Sequence, residues 1–169
     1  MKKTVLLIVM LLALSTTLPA QRVGYINSQT ILNEMPEYIS ATQQIERLRK
    51  QYESQVQTEM KKVEELYKKY QQEKSLLSQQ LRSERENQII TLERSAKELQ
   101  RELFGQEGVM AVRSKELIEP IMNRLQTVVK EVADSDEIIM VFDISTLQGI
   151  IYSNAQFDLT QRVMNKLKE

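Results

Sequence analysis

The 169-residue chain has no cysteine, no histidine and no tryptophan, and only four glycines and three prolines. Without cysteine there is no disulfide framework, no thiolate metal ligand and no thiol nucleophile. Without histidine, the usual general base at neutral pH and the commonest metal ligand are both missing. The glycines form neither G-x-G-x-x-G nor G-x-x-x-x-G-K-[ST], so the sequence offers no phosphate-cradling loop. A surplus of one charge is also lacking, because 23 Lys and Arg meet 23 Asp and Glu. A dedicated nucleic-acid binder needs a basic surplus to displace counterions. The chain therefore reads as neither an enzyme nor a nucleic-acid binder, and no cofactor or metal is expected.

Lys2 and Lys3 precede an unbroken apolar run from Val5 to Leu14, and a small, polar stretch then ends in Pro19-Ala20. The run is too short to cross a bilayer, which takes about 20 apolar residues. It reads as a cleavable secretory signal over 1–20, cut after Ala20, with a retained anchor as the alternative. Cleavage leaves 21 basic against 23 acidic groups. Any membrane contact of the remainder is expected to be peripheral.

The rest divides into three. Arg22 to Asn27 is β-branched and aromatic and reads as a strand. Ser28 to Asn33 reads as a helical turn with Ser28 as N-cap, interrupted by Pro36. From Glu37 to about Asp134 the chain is rich in Gln, Glu, Lys and Arg. Apolar residues recur there at Ile45, Leu48, Tyr52, Val56, Met60, Val63, Tyr67 and Tyr70, the helical period. A second stripe runs through Ile89, Leu92, Ala96, Leu99, Leu103, Met110, Leu117, Ile121, Leu125, Val128 and Val132. Both are narrow, like a coiled-coil seam. Phase is lost over 78–84, and Ser83 with Glu86 has capping-box spacing, so an antiparallel helical hairpin is expected over 37–133 with its tip near 78–84. The C-terminal part returns to β character. Ile138–Phe142 reads as a strand buried on both faces, Ile150–Tyr152 as a second strand, and Asp158–Thr160 as a cap before a last amphipathic helix.

The fold class is thus α+β, a small β-rich body of 22–36 and 134–169 carrying a long helical hairpin. That body has 51 residues, too few to bury a self-sufficient core, so oligomerisation is the physical expectation. Val23, Tyr25, Ile26, Met140, Phe142, Ile150 and Tyr152 are the candidate subunit contacts. Leu76, Leu77 and Leu81 near the tip, with Tyr70 and Met110, are candidate contacts for a flexible partner, although helix-to-helix packing would use the same side chains. Gly105 and Gly108 read as a soft point in the middle of the returning helix, with close packing as the competing reading. In the helical reading, alanine at both positions should raise helix stability.

The ordered set of Arg-Val-Gly-Tyr-Ile-Asn, a Gln/Glu/Lys-rich hairpin, Leu125–Ala133, Ile138–Asp143 and Asp158-Leu-Thr160 resembles the Skp/OmpH family of periplasmic chaperones. The Leu-Ile-Glu-Pro-Ile run around Pro120 resembles a recurrent feature of that family. The resemblance implies a homotrimer with helical tentacles around a cavity and ATP-independent holding of unfolded outer-membrane β-barrel proteins. The best-known members are strongly basic. Here the arm, Glu37 to Asp134, holds 17 basic and 17 acidic residues, so a lipopolysaccharide-binding basic cluster carries over to no residue. A structural coiled-coil adaptor or spacer of the cell envelope is the alternative.

Overall fold

The computed structural model describes residues 22–169; the expected signal segment, 1–20, lies outside the described residues. In chain order the elements are β1 (Arg22–Ile26), α1 (Ser28–Glu34), α2 (Pro36–Glu73), α3 (Gln79–Phe104), α4 (Val109–Ser135), β2 (Ile138–Asp143), a short 3-10 turn (Ala155–Phe157) and α5 (Thr160–Leu167). They form two compact units. One joins residues 22–31 to 125–169, and the other is Leu32–Arg124.

In the first unit, β1 and β2 make a two-stranded parallel sheet, with Val23 opposite Met140 and Tyr25 opposite Phe142. Side chains alternate between the faces of a strand. Gly24 and Ile26 of β1 are accordingly buried, while Val23 is exposed. The last helix has the amphipathic pattern the sequence predicts. Leu159, Val163, Met164 and Leu167 are all buried, and the Asp158 carboxylate accepts from Thr160 N at 2.8 Å at its start. Leu159 N donates to Tyr25 O at 2.8 Å, which ties this helix to the edge of β1.

Three local expectations are corrected in this unit. Asn27, not Ser28, caps α1, because its side-chain oxygen accepts from Thr30 N at 3.0 Å. Ile150–Tyr152 forms no strand; it is irregular chain, with Ile151 fully exposed and Tyr152 83% exposed. Finally, Ile138–Phe142 does form a strand but is not buried on both faces, since Ile139 is 61% and Met140 52% exposed. Among the described residues, nothing covers its exposed positions.

Asp143 organises the junction of β2 with α1. Its carboxylate accepts from Ser28 N at 3.1 Å, Ser28 Oγ at 2.6 Å, Ser145 N at 3.0 Å and Ser145 Oγ at 2.7 Å. Burial alone would raise this carboxyl, but the four donors outweigh it and hold it below the usual carboxylate value. A depressed folded-state pKa gives a stabilisation that is present above the unfolded value and lost as pH falls through the folded one. Asp143→Asn is therefore expected to cost about 1–3 kcal/mol at neutral pH. The deficit should shrink as both proteins are titrated into acid, which urea-unfolding midpoints across pH will measure.

In the second unit, Pro36 sits in the first turn of α2, where its missing N–H is harmless. The helix runs unbroken to Glu73 and packs antiparallel against α3. Tyr70, Ala96 and Leu103 are buried there, in the phase that the two sequence stripes predict. The turn occupies 74–78, on the N-terminal side of the expected tip. Ser78 supplies the cap, its hydroxyl accepting from Leu81 N at 3.4 Å. The expected Ser83–Glu86 box does not form, because Ser83 already lies inside α3, and Glu86 accepts from the Tyr70 hydroxyl instead. At the other end of this unit, Arg124 of α4 pairs with Glu37 of α2 at 2.5 Å.

Candidate functional site

The tip is held by a small polar cluster. The Tyr70 hydroxyl donates to the Glu86 carboxylate, and that hydrogen bond raises the Tyr70 phenol above its ordinary pKa. Lys74 lies 5.5 Å from the centroid of the Tyr70 ring, within reach of a cation–π contact. Arg82 Nε donates to Leu77 O at 3.0 Å and closes the turn from the α3 side. Tyr70, 4% exposed, is therefore a seam residue and not a free contact surface. That corrects its place among the candidate partner contacts. Leu76, in contrast, is 86% exposed and Leu81 is 47% exposed, while Leu77 and Met110 are half-buried.

Along the arm the charges are locally neutralised. Glu64 pairs with Lys68 at 2.5 Å and Glu93 with Lys97 at 2.6 Å, both at i,i+4 spacing. The Lys68 partner lowers the Glu64 carboxyl and is itself raised. Exposed pairs of this kind add little stability. Their consequence is electrostatic: the arm presents alternating charge without a field of one sign.

Gly105 and Gly108 do not lie inside a helix. Alpha-helix α3 stops at Phe104 and α4 starts at Val109, so a four-residue interruption separates them. Gly105 N bonds Arg101 O at 2.7 Å, and Gly108 N bonds Gly105 O at 3.0 Å. A Cβ on Gly105 would meet Arg101 O at 2.5 Å, and one on Gly108 would meet Glu102 O at 2.7 Å. Backbone closes on backbone here, so the reading of a stabilising double alanine is overturned.

In the first unit, the candidate contact residues separate by face. Val23, Met140, Phe142, Ile150 and Tyr152 are exposed and Tyr25 is half-buried. Val23, Tyr25, Phe142, Leu147, Ile150 and Tyr152 line one apolar groove. Ile26, 6% exposed, faces inward and is not available to another chain. Leu147, 45% exposed, and Phe157, 40% exposed, join the groove, and neither stands in an apolar run that would mark it out. Leu147 stands alone in a polar loop, and Phe157 ends the short 3-10 turn. Ile139 and Ile151 stand within the apolar runs and are exposed, but they do not line the groove.

A family model described as outer membrane protein (OmpH-like) matches residues 22–167. The chain belongs to the OmpH-like family. No curated protein matches it. Among solved structures, a protein from Caulobacter crescentus CB15, described as an outer membrane chaperone (OmpH-like), superposes with a TM-score of 0.67 at 12% identity. The match covers 90% of this chain and 88% of that one. At such identity it is the fold that is shared: an OmpH-like α+β chain with long helices and a two-stranded sheet. Among the described residues of this OmpH-like chain, no helix is long and apolar enough to cross a membrane.

Proposed function

We propose that this OmpH-like protein is an ATP-independent holdase of the periplasm, which binds unfolded outer-membrane β-barrel proteins and prevents their aggregation. We further propose that it acts as a homo-oligomer, a trimer by its family resemblance, assembled through the groove of Val23, Phe142, Ile150 and Tyr152. The observation that carries this reading is the apolar groove the single chain leaves open on its two-stranded sheet, lined by the exposed side chains of Val23, Phe142, Leu147, Ile150, Tyr152 and Phe157. A contiguous apolar patch of this kind marks an interaction surface. The second support is the arm, a helical hairpin with an exposed leucine at its tip and neutralised charge along its sides. Family membership accords with the chaperone role and with the periplasm as its location.

The test is dilution of a urea-unfolded β-barrel protein into buffer with and without the purified protein. Light scattering should fall to baseline near stoichiometric amounts, for several unrelated clients, and ATP should change nothing. Binding to one folded partner at fixed stoichiometry, without suppression of aggregation, would establish the envelope adaptor instead.

Salt sensitivity follows from the balanced arm. With apolar contact and enclosure by several arms supplying the affinity, raising salt from about 0.05 to 0.2 M should weaken client binding far less than the ~10³-fold loss of a many-contact polyelectrolyte interaction. Fluorescence titration at the two ionic strengths measures this. A steep slope would show that local charge patches drive capture.

A further inference from the structure

Helix α3 carries a row of uncharged hydrogen-bonding side chains at strict four-residue spacing: Gln79, Ser83, Asn87, Thr91 and Ser95. All five are exposed, and they line one groove together with Leu66 of α2 and with Leu92, Gln80, Gln88 and one charged residue, Glu84, of the same helix. The neighbouring rows of α3 hold Arg82, Glu84, Arg85, Glu86, Glu93 and Arg94. Five successive neutral positions are therefore a local departure from a charge-dense helix.

A row at four-residue spacing is a ridge inclined about 26° to the helix axis. Four residues rise about 6.0 Å along the axis, so successive members of the ridge stand about 6.7 Å apart along it. Two residues of an extended chain span about 6.6–6.8 Å. On one edge of such a chain the backbone N–H and C=O groups recur at that same two-residue repeat, and they are neutral. The helix row thus repeats in step with the edge of an extended peptide, and its amides and hydroxyls supply both donors and acceptors.

We propose that this row is a binding track for the backbone of an extended segment of an unfolded β-barrel client. The inference rests on the holdase reading and specifies one of its sites. Alternate apolar side chains of the segment, the pattern of a membrane β-strand, settle on Leu66 and Leu92, while its amide edge bonds to Ser83, Asn87 and Thr91. Recognition of backbone in this manner is independent of client sequence beyond the alternation, and the row itself is neutral, with Glu84 the one charge in the groove.

The experiment uses the full mature chain and a fluorescent peptide of one alternating membrane strand, compared with a copy whose central amide N–H groups are replaced by ester oxygens. The protein variant is Ser83→Ala with Asn87→Ala and Thr91→Ala. Alanine is the best helix former, so the exposed helix should persist, as circular dichroism will show. Loss of three hydrogen bonds at the low end of their net worth amounts to roughly tenfold in affinity. The native protein should bind the ester peptide roughly tenfold more weakly. The triple variant should bind the amide peptide with the same loss and no longer distinguish the two peptides. Equal binding of both peptides by the native protein, or unchanged binding by the variant, overturns the track while suppression of client aggregation continues. If the native protein neither binds peptide nor suppresses aggregation, it is the holdase reading that fails.

Discussion

Phe142→Asp is expected to turn the oligomer proposed above into folded monomers in light scattering. Phe142 is 43% exposed in the single chain and sits opposite Tyr25 in the β1–β2 register. A carboxylate at that position keeps access to water in the protomer, so the sheet can form. Once a second copy covers the groove, the same carboxylate is enclosed by apolar side chains such as Val23, Leu147 and Ile150. An unpaired charge in a dry contact costs several kcal/mol, and the cost recurs in every symmetric copy of the interface. Circular dichroism should retain the helical signal of the arm. An intact oligomer in this variant would place the assembly surface elsewhere on the molecule.

The double variant Gly105→Ala, Gly108→Ala should be less stable than the native protein, by about 1–3 kcal/mol. Glycine inside a helix costs roughly 1 kcal/mol relative to alanine, but neither glycine is inside one. A methyl group at Gly105 would approach Arg101 O to 2.5 Å, and one at Gly108 would approach Gly105 N to 2.8 Å. Both obstacles are backbone, which cannot swing aside as the end of a side chain can. Urea unfolding followed at the helical band gives the sign directly. A gain in stability would mean that α3 and α4 fuse into one helix when the glycines are removed, and the interruption would then be a soft point after all.

The arm was legible because its information is periodic. The stripe from Ile45 to Tyr70 predicts one helix, and α2 runs from Pro36 to Glu73. Turn chemistry was less readable. Ser78 and Ser83 both carry a hydroxyl, and the sequence favoured Ser83 because Glu86 stood three residues on. Glu86 instead accepts from Tyr70, sixteen residues away in the chain, a contact that only the antiparallel pairing creates. The helix break at Gly105–Gly108 was hidden for a similar reason, since isolated glycines are compatible with a helix until the backbone around them is seen. In the body, Ile138–Phe142 reads as a strand and forms one, but Ile139, Met140 and Phe142 stay exposed. A continuous apolar run signals a surface to be covered and leaves open whether the same chain covers it. The Ser28 donors to Asp143 carry no local signature, since the two residues are 115 apart, whereas Ser145 is a local donor two residues on.

That separation also governs the order in which the molecule can fold. The strand at the start of the described chain waits for a partner on the far side of the arm, and closing so long a loop carries an entropic cost before any ladder bond forms. The hairpin contacts are local and form sooner. Once α2 and α4 have met at Glu37 and Arg124, the loop still to be closed between β1 and β2 is effectively short. The parallel pair then zips last, and the groove proposed above as the assembly surface comes into being only on chains whose arm is already complete.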